Sequence, residues 1–400
     1  TPKGQDNRLL LIVHHLLIDV VSWRILMEDI NVGLANISDA KDIDLGFKTT
    51  SVQQWGSALI EYSKTDAVLG KLAYWRALSD LKYTALPTDS LHTDSTCPNN
   101  TYGQLNEYIA SLDIEQTKQL LSQVNGAYRT DIEDVLLAAL AMTISQWASS
   151  QWGSASEKRA VDLDSMGNAV PNKVYLQLES HGRENISTSV DVTGTLGWFT
   201  SVFPVLLDID GIDLTNPSNY GMLIQTVKEQ IRQIGVGDGG FSFGLLRYMS
   251  DNDTRQQLES VPTPEVVFNY LGQLDNILTL DHGSYATNES VGEMCGSKLR
   301  RQQLLDINCR IEEGQFKAFW SYNSDIHDEI TIANVANQYI DCLSTLIDYC
   351  LKEENKGISP SDVPLIEIDQ AGLDHMVETI LQKNAAFSVA NIQSIYPLSP

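Results

Sequence analysis

Two hydrophobic periods alternate along this chain, and their mixture limits the possible folds more than any other sequence feature. Residues 173–179 switch strictly between apolar and polar side chains, which is typical of a strand with one buried face. Residues 220–234 instead repeat apolar side chains every three or four positions, as in an amphipathic helix. Because 400 residues exceed what one hydrophobic core usually covers, we expect a mixed α/β or α+β protein of two lobes.

The same patterns predict the remaining elements. Leu9 to Val13 form a short continuous apolar run, which favours a strand buried on both faces. Asp19 can cap a helix over residues 20–34, and the Pro-, Thr- and Asn-rich residues 86–104 indicate a loop between lobes. We also expect helices over residues 51–80, 114–123, 131–147 and 330–351, a strand over 265–271, and a hairpin of strands 305–311 and 315–322.

Charge and cysteine content narrow the class of protein. The chain carries 52 acidic and 27 basic residues, a formal net charge of -25. Such a surface repels polyphosphate, so nucleic acid is not an expected partner. Five cysteines without a C-x-x-C pair favour reduced thiols in a cytoplasmic protein. No apolar run approaches the roughly 20 residues of a membrane span, and no His, Cys and Asp residues have the spacing of a metal site.

A pair of histidines followed by an aspartate supplies the first functional motif. His14, His15 and Asp19 form the pattern HHxxxD, which resembles the signature of the condensation-domain superfamily. Members of that superfamily consist of two chloramphenicol-acetyltransferase-like lobes, so the resemblance implies this fold here, with the first lobe incomplete. The motif alone is moderately specific, because several kinds of acyltransferase carry HxxxD.

Further segments resemble motifs of the epimerization branch of this superfamily. The Val-Ser-Trp sequence that ends at Trp23 replaces the glycine that follows the motif aspartate in other branches. The other matches come in the family's order: TSVQQWG at 50–56, ESHGRE at 179–184, GWFTSVFP at 197–204, FGLLRY at 243–248 and FNYLGQLD at 268–275. The chain thus resembles an epimerization domain of a nonribosomal peptide synthetase over most of its length.

Three departures from the family pattern accompany this resemblance. The part of the first lobe that should precede the histidines is absent, and the glycine-rich motif is altered over residues 235–240. Ser180 replaces the second residue of EGHGRE, where a side chain would shift the turn if a glycine were needed for a positive φ angle.

The resemblance also implies how the chain is divided into lobes, linker and following domain. Residues 1–104 would be the remainder of the N-terminal lobe, and residues 105–354 the C-terminal lobe. A linker with a short helix inside would cover residues 355–394, where Lys, Glu, Asn, Gly, Ser and Pro dominate. Residues 395–400 resemble the start of a following condensation domain. Both ends are therefore expected to be cuts in a longer polypeptide.

The reaction that this resemblance implies is epimerization of the α-carbon of an aminoacyl or peptidyl thioester. The thioester would be carried on the phosphopantetheine of an upstream peptidyl carrier domain, with no diffusible cofactor. In the family, the second histidine and the glutamate that opens EGHGRE face each other across a tunnel, and these roles carry over to His15 and Glu179. A histidine suits proton transfer because its ordinary pKa is about 6.5. On spacing alone, Glu179 would equally be a surface carboxylate.

The other motif residues have supporting roles in this interpretation. His14 is better explained as a satisfied core histidine, and Asp19 as a helix cap or a partner of an arginine, for which Arg183 is the candidate. Asn269 and Tyr270 could donate hydrogen bonds to the enolate oxygen or line the tunnel, and a role in packing alone is the alternative.

Three residues remain as lining or motif positions: Trp23, Trp198 and Gly244.

Two alternative functions stay open at this point. A condensation domain would use His15 in peptide-bond formation, and a non-catalytic remnant would only dock carrier domains. Condensation domains lack the glutamate-led motif, so Glu179 is the residue that best separates epimerization from condensation. A downstream condensation domain of the same synthetase would be the second partner.

Overall fold

The structure is a computed structural model that describes most of the chain. The described residues are 8–89, 100–152, 172–235, 240–273, 279–280, 284–285, 289–352, 354–384 and 387–397. Most of the altered glycine-rich segment 235–240 and the last three residues of the expected downstream segment 395–400 lie outside this part.

Eight strands are present in the described residues. In chain order they are β1 (Leu105–Ser111), β2 (Lys173–Ser180), β3 (Ser201–Asp208), β4 (Val266–Gln273), β5 (Thr279–Leu280), β6 (Ser284–Tyr285), β7 (Leu305–Glu312) and β8 (Gln315–Asn323). Six of them form one sheet in the order β1-β8-β7-β4-β2-β3, while β5 pairs with β6. The β2–β4 and β4–β7 pairs are parallel and the other pairs are antiparallel. The sheet is therefore mixed, with both parallel and antiparallel pairs.

Helices precede and cover this sheet. In chain order they are α1 (Val20–Ser38), α2 (Val52–Tyr62), α3 (Asp66–Leu69), α4 (Leu72–Ala77), α5 (Ile114–Ser122), α6 (Asn125–Tyr128), α7 (Ile132–Trp152), α8 (Tyr220–Ile234), α9 (Phe241–Tyr248), α10 (Asn252–Glu259), α11 (Glu329–Cys350) and α12 (Gln370–Lys383). The side chains of α7 from Val135 to Leu140 are almost completely buried, so this helix is central to the main core. Trp55 of α2 and Trp75 of α4 belong to the same core.

Several sequence predictions are confirmed. Asp19 caps α1 through a hydrogen bond to the backbone of Ser22, and α5, α7, α8 and α11 form where their periodicity indicated. The hairpin of β7 and β8 also forms, with Glu313 and Gly314 in the left-handed backbone region that a tight turn requires. Helices α9 and α10 and strand β1 were not predicted from the sequence.

Two predictions of secondary structure are wrong. Residues 9–13 form no strand, and Leu9 and Ile12 are 73% and 84% exposed, because no strand in the described residues lies beside them to pair their backbone groups. The single helix expected over residues 51–80 is broken into α2, α3 and α4. The hydroxyls of Ser63 and Thr65 donate to the carbonyls of Ile60 and Tyr62, and such local bonds compete with helix continuation.

Residues 358–392 pack against α8. Ile358, Val363, Leu373 and Ile392 form a second apolar cluster. Lys228 of α8 donates to Asp362 at 2.7 Å, and both side chains are buried. The segment expected to be a linker thus contains α12 and a core of its own, and it is held to α8 by a buried ion pair.

This ion pair leads to a prediction on stability. Replacing Lys228 by Met leaves the buried carboxylate of Asp362 without its partner, so the free energy of unfolding should fall by about 3 kcal/mol. Lys173→Met is the matched control, because its pair with Asp208 is about one-third exposed and should contribute less than about 1 kcal/mol. Urea denaturation of both variants measures the difference, and equal losses would contradict the prediction.

A buried histidine leads to a prediction on pH. His327 is fully buried, and neither ring nitrogen has a hydrogen-bond partner among the described residues. Burial lowers the pKa of His327 to about 4, Arg301 acts in the same direction, and Asp89 opposes them. Because the unfolded histidine binds protons more readily, this group destabilises the fold as the pH falls from about 6.5 toward 4.

Replacing His327 by Phe removes this titration. The variant should therefore lose less stability than the natural protein over the same pH range, as measured by urea midpoints. His375→Phe, at an exposed position of α12, serves as the control. A variant whose midpoints change with pH as steeply as those of the natural protein would refute the assignment.

Candidate active site

The two histidines lie on a short turn before α1. Residues His15–Leu17 form one turn of 3-10 helix, and the Nδ1 atom of His14 accepts a hydrogen bond from the backbone of Leu16 at 3.1 Å. His14 is exposed, so the prediction that it is a core histidine is wrong. The strand that would have buried it does not form. The ring of His15 lies 5.6 Å from that of Trp198, between centroids.

Asp19 connects this turn to the segment that contains Trp198. Its Oδ1 atom accepts from the backbone of Ser22 at 2.7 Å, and its Oδ2 atom accepts from the backbone of Phe199 at 3.1 Å. Burial acts to raise the pKa of the Asp19 carboxyl. Hydrogen bonds from Ser22 and Phe199 and the charge of Arg183 outweigh burial and hold the pKa below its usual value. The Asp19 carboxyl is therefore held in its ionised form by the contacts that join these two segments.

Arg183 lies at the centre of the contacts around Asp19. Its Nη2 atom is 3.2 Å from Asp19 Oδ1 and donates to the hydroxyl of Ser22 at 2.8 Å. Its Nη1 atom donates to the backbone carbonyls of Val192 and Thr195, at 2.5 and 2.8 Å. The guanidinium also lies 4.1 Å from the centre of the Phe199 ring. Arg183, which the sequence analysis proposed as a partner of Asp19, thus also binds residues 192–199.

The turn between Glu179 and Arg183 depends on one glycine. Gly182 has a φ angle of 62°, and a Cβ atom there would lie 1.7 Å from the carbonyl oxygen of Phe199. Ser180 instead ends β2 in extended backbone, paired with Ser201. The condition under which Ser180 would shift the turn is therefore not met, since the residue with the positive φ angle stands two positions later.

Glu179 is half-buried near the end of β2, next to Asn269 of β4. The side-chain amide of Asn269 donates to Glu179 Oε2 at 2.9 Å. Burial raises the pKa of Glu179, the charge of His15 acts to lower it, and Asp306 acts to raise it. The carboxyl can therefore hold a proton at a higher pH than an exposed glutamate can, while it interacts electrostatically with His15.

His15 and Glu179 line the same cavity of about 1040 Å³. Trp198, Asn269 and Tyr270 also line it. Burial raises the pKa of Tyr270 to about 12, so its hydroxyl stays protonated at neutral pH and can donate a hydrogen bond. The cavity thus contains two groups that can exchange a proton and one neutral hydroxyl donor.

Two of the candidate lining residues lie elsewhere. Trp23 is half-buried on α1 and is not among the residues that line this cavity. Gly244 lies on α9 and lines a neighbouring cavity of about 680 Å³, which Trp198 also lines.

The cavity contains a further acidic residue that sequence reasoning missed. Glu133, in the first turn of α7, lines it. Burial, together with Asp134 and Asp131, raises the pKa of Glu133 to about 7, although Arg232 acts to lower it. In the sequence, Glu133 stands between two acidic residues at the start of a predicted helix. Ordinary helix N-termini show the same pattern, so nothing in the sequence marked this residue.

Neither metal ligands nor a membrane span is found in the part of the chain that the structure describes. No three His, Cys, Asp or Glu side chains are grouped there as metal ligands would be. No helix among the described residues is long and apolar enough to cross a bilayer.

Comparison with known proteins identifies the family. The family model of the condensation domain matches residues 3–153 and 171–363. The chain belongs to this family, and its mixed α/β structure is part of the chloramphenicol-acetyltransferase-like fold, as expected.

Individual relatives are nonribosomal peptide synthetases. The chain is 30% identical to tyrocidine synthase 2 of Brevibacillus parabrevis, over 94% of this chain and 10% of that protein. It is also 30% identical to gramicidin S synthase 1 of Brevibacillus brevis, over 94% of this chain and 32% of that protein. The chain therefore corresponds to a small part of each of these relatives.

Among solved structures, the chain is similar to the epimerization domain from the third module of tyrocidine synthetase B. The match has a TM-score of 0.70 and 32% identity, over 85% of this chain and 68% of that chain. It also resembles the X-domain from teicoplanin biosynthesis, with a TM-score of 0.56 and 15% identity over 85% of this chain and 69% of that chain, a likeness that concerns the fold alone.

The glycine in the turn leads to a prediction. Gly182→Ala should destabilise the protein by about 3 kcal/mol or more, because the new Cβ atom meets the backbone of Phe199 in a strained conformation. Gly244→Ala is the control: nothing lies within 4 Å of a Cβ atom there, and alanine inside a helix should stabilise by about 0.5 kcal/mol. Urea denaturation distinguishes the two, and a Gly182→Ala variant of natural stability would contradict the geometry.

Proposed function

We propose that this domain epimerizes the α-carbon of an aminoacyl or peptidyl thioester carried on the phosphopantetheine of a carrier domain. The observation that carries the proposal is the presence of His15 and Glu179 in the wall of one cavity. Epimerization must remove a proton from one face of the α-carbon and return one to the other face, which requires two proton-carrying groups.

The electrostatics of the pair suit this exchange. A protonated His15 favours the ionised form of Glu179, and burial of Glu179 favours its neutral form. Epimerization needs one group as base and the other as acid, so the pair must hold one proton before and after the reaction: ionised glutamate with imidazolium, or carboxylic acid with neutral imidazole. When the ionised glutamate takes the α-proton and the imidazolium returns a proton, the first arrangement becomes the second. The reverse reaction restores the first arrangement. Either group can therefore start, according to the direction of the reaction.

The intermediate of this reaction is an enolate, whose negative charge is on the thioester oxygen. The amide of Asn269 donates to Glu179, which orients the carboxyl, and its NH2 group has a second N–H. Tyr270 is a suitable side-chain donor for the oxygen, because its hydroxyl is protonated and lines the cavity. No diffusible cofactor is required for these steps.

The similarity to the tyrocidine synthetase epimerization domain supports the same reaction. The substrate would come from a peptidyl carrier domain upstream, and a condensation domain downstream would use the product. The chain would then be divided as its motifs suggest, with residues 1–104 in the N-terminal lobe, 105–354 in the C-terminal lobe, 355–394 joining this domain to the next, and 395–400 opening the next domain.

The test follows α-proton exchange in D2O. The protein in its full natural length is mixed with carrier proteins loaded with different L-aminoacyl phosphopantetheine groups, and deuterium uptake and the chirality of the released acids are measured. Exchange should fall by about a hundred-fold or more in His15→Ala and in Glu179→Gln, because each removes one proton carrier. His375→Ala and Glu107→Gln, both at exposed positions, should keep natural rates.

Exchange that survives both active-site substitutions would overturn the residue assignment. Peptide-bond formation without exchange would identify a condensation domain. A protein that binds carrier domains but catalyses neither reaction would be a non-catalytic member of the family.

A further inference from the structure

A row of polar side chains crosses three strands of the sheet in the wall of the candidate site. Asn269 of β4 donates to Glu179 of β2, and Asn269 is paired in register with Asn308 of β7. Because side chains at paired positions point to the same face, Asn308 lies on the face that carries Glu179, about 10 Å away at the usual strand spacing. Asn308 is half-buried and lines the same cavity as the other two residues.

The side-chain amide of Asn308 has no hydrogen-bond partner in the described part of the chain. Its neighbours on this face of the sheet are bound elsewhere or apolar. Asp306, two residues before it, lies 2.7 Å from Arg301. Phe319, paired with Asn308 on β8, offers no polar atom, and the guanidinium of Arg310 lies 3.7 Å from the centre of its ring. The cavity is therefore where the amide of Asn308 can find a partner.

The chemistry of this amide indicates what it can bind. A side-chain carboxamide has two N–H donors, one carbonyl acceptor and no charge. When a substrate fills the cavity and displaces water, these groups must form hydrogen bonds to the substrate or stay unsatisfied at an energetic cost. An ammonium group or a carboxylate would use only the acceptor or only the donors. A secondary amide, with one N–H and one C=O, can use both.

We propose that Asn308 is a specificity-determining residue that binds an amide group of the carrier-held substrate while Glu179 acts on the α-carbon. This inference rests on the proposed function. Such a substrate has amides on both sides of its α-carbon: the peptide bond to a preceding residue, and the phosphopantetheine amide nearest the sulfur. Both lie within about 7 Å of the α-carbon, the length of two extended residues, and thus within reach of a side chain two strands from Glu179.

The direct test does not require activity. In the full-length protein labelled with 15N at asparagine, the side-chain resonances of Asn308 are the pair lost in Asn308→Leu. Three thioesters serve as probes: N-acetylalanyl methyl thioester has a peptide-type amide, propionyl pantetheine has only the pantetheine amides, and S-methyl thiopropionate has no amide. The Asn308 resonances should shift with at least one amide probe and stay in place with S-methyl thiopropionate.

The pattern of shifts identifies the source of the amide. A shift with the N-acetylalanyl probe alone assigns the peptide bond, a shift with propionyl pantetheine alone assigns the carrier arm, and shifts with both show that either amide is accepted. Asn308 resonances that stay in place while an amide probe moves the indole resonance of Trp198, in the same cavity wall, would overturn the inference. Equal shifts with S-methyl thiopropionate would overturn it too. Probes that move neither resonance would count against the cavity as the substrate site, and so against the proposed function as well.

The kinetics of α-proton exchange test the consequence for the reaction. Asn308→Leu should raise KM about ten-fold and change kcat less, because the lost hydrogen bond is remote from the reacting atoms. Alanyl and N-acetylalanyl carrier proteins differ only in the acyl amide. KM should therefore rise with the N-acetylalanyl carrier alone if Asn308 binds the peptide bond, and with both carriers if it binds the pantetheine amide.

Two further variants keep this result interpretable. Asn308→Ala removes the amide without adding an apolar side chain and should give the same rise in KM. Asn106→Leu, at an exposed position of β1, is the matched control and should leave KM unchanged. Natural KM values in both Asn308 variants, or an equal rise in Asn106→Leu, would contradict the role of Asn308 alone. Shifted Asn308 resonances in a protein that shows no exchange would leave the amide site intact and contradict only the proposed function.

Discussion

The buried contact between Arg183 and Asp19 is the interaction on which the arrangement of the candidate site depends. It joins three parts of the chain that are distant in sequence: the start of α1, the turn after β2, and residues 192–199. A buried guanidinium is costly without its counter-charge and its hydrogen-bond acceptors, so these parts cannot separate without a large energetic cost. The contact thereby holds the turn that carries His15 near the strand that carries Glu179.

The site combines two carboxyls whose pKa values are shifted in opposite directions. Asp19 accepts several hydrogen bonds and lies against a cation, and these outweigh its burial, so its pKa falls. Glu179 accepts one hydrogen bond from a neutral amide, and burial outweighs the attraction of His15, so its pKa rises. Two carboxyls that line one cavity thus have pKa values shifted in opposite directions by their surroundings.

The sheet connects this site to the rest of the protein. Its parallel strands β2, β4 and β7 place polar side chains side by side at one edge of the cavity, and α7 covers the core beneath them. The end of α8 also lines the cavity, while the middle of the same helix binds the segment that contains Asp362. Helix α8 therefore takes part both in the contacts that hold residues 358–392 and in the wall of the cavity.

The sequence by itself determined the local features: the helices with strong periodicity, the β7–β8 hairpin, the cap at Asp19 and the motif residues His15 and Glu179. These follow from side-chain spacing, which acts over a few residues. Only the tertiary structure decided that His14 is exposed, that Arg183 meets Asp19 across 164 residues, and that Gly182 rather than Ser180 needs a positive φ angle. Such contacts depend on strand order and register, which no local pattern encodes.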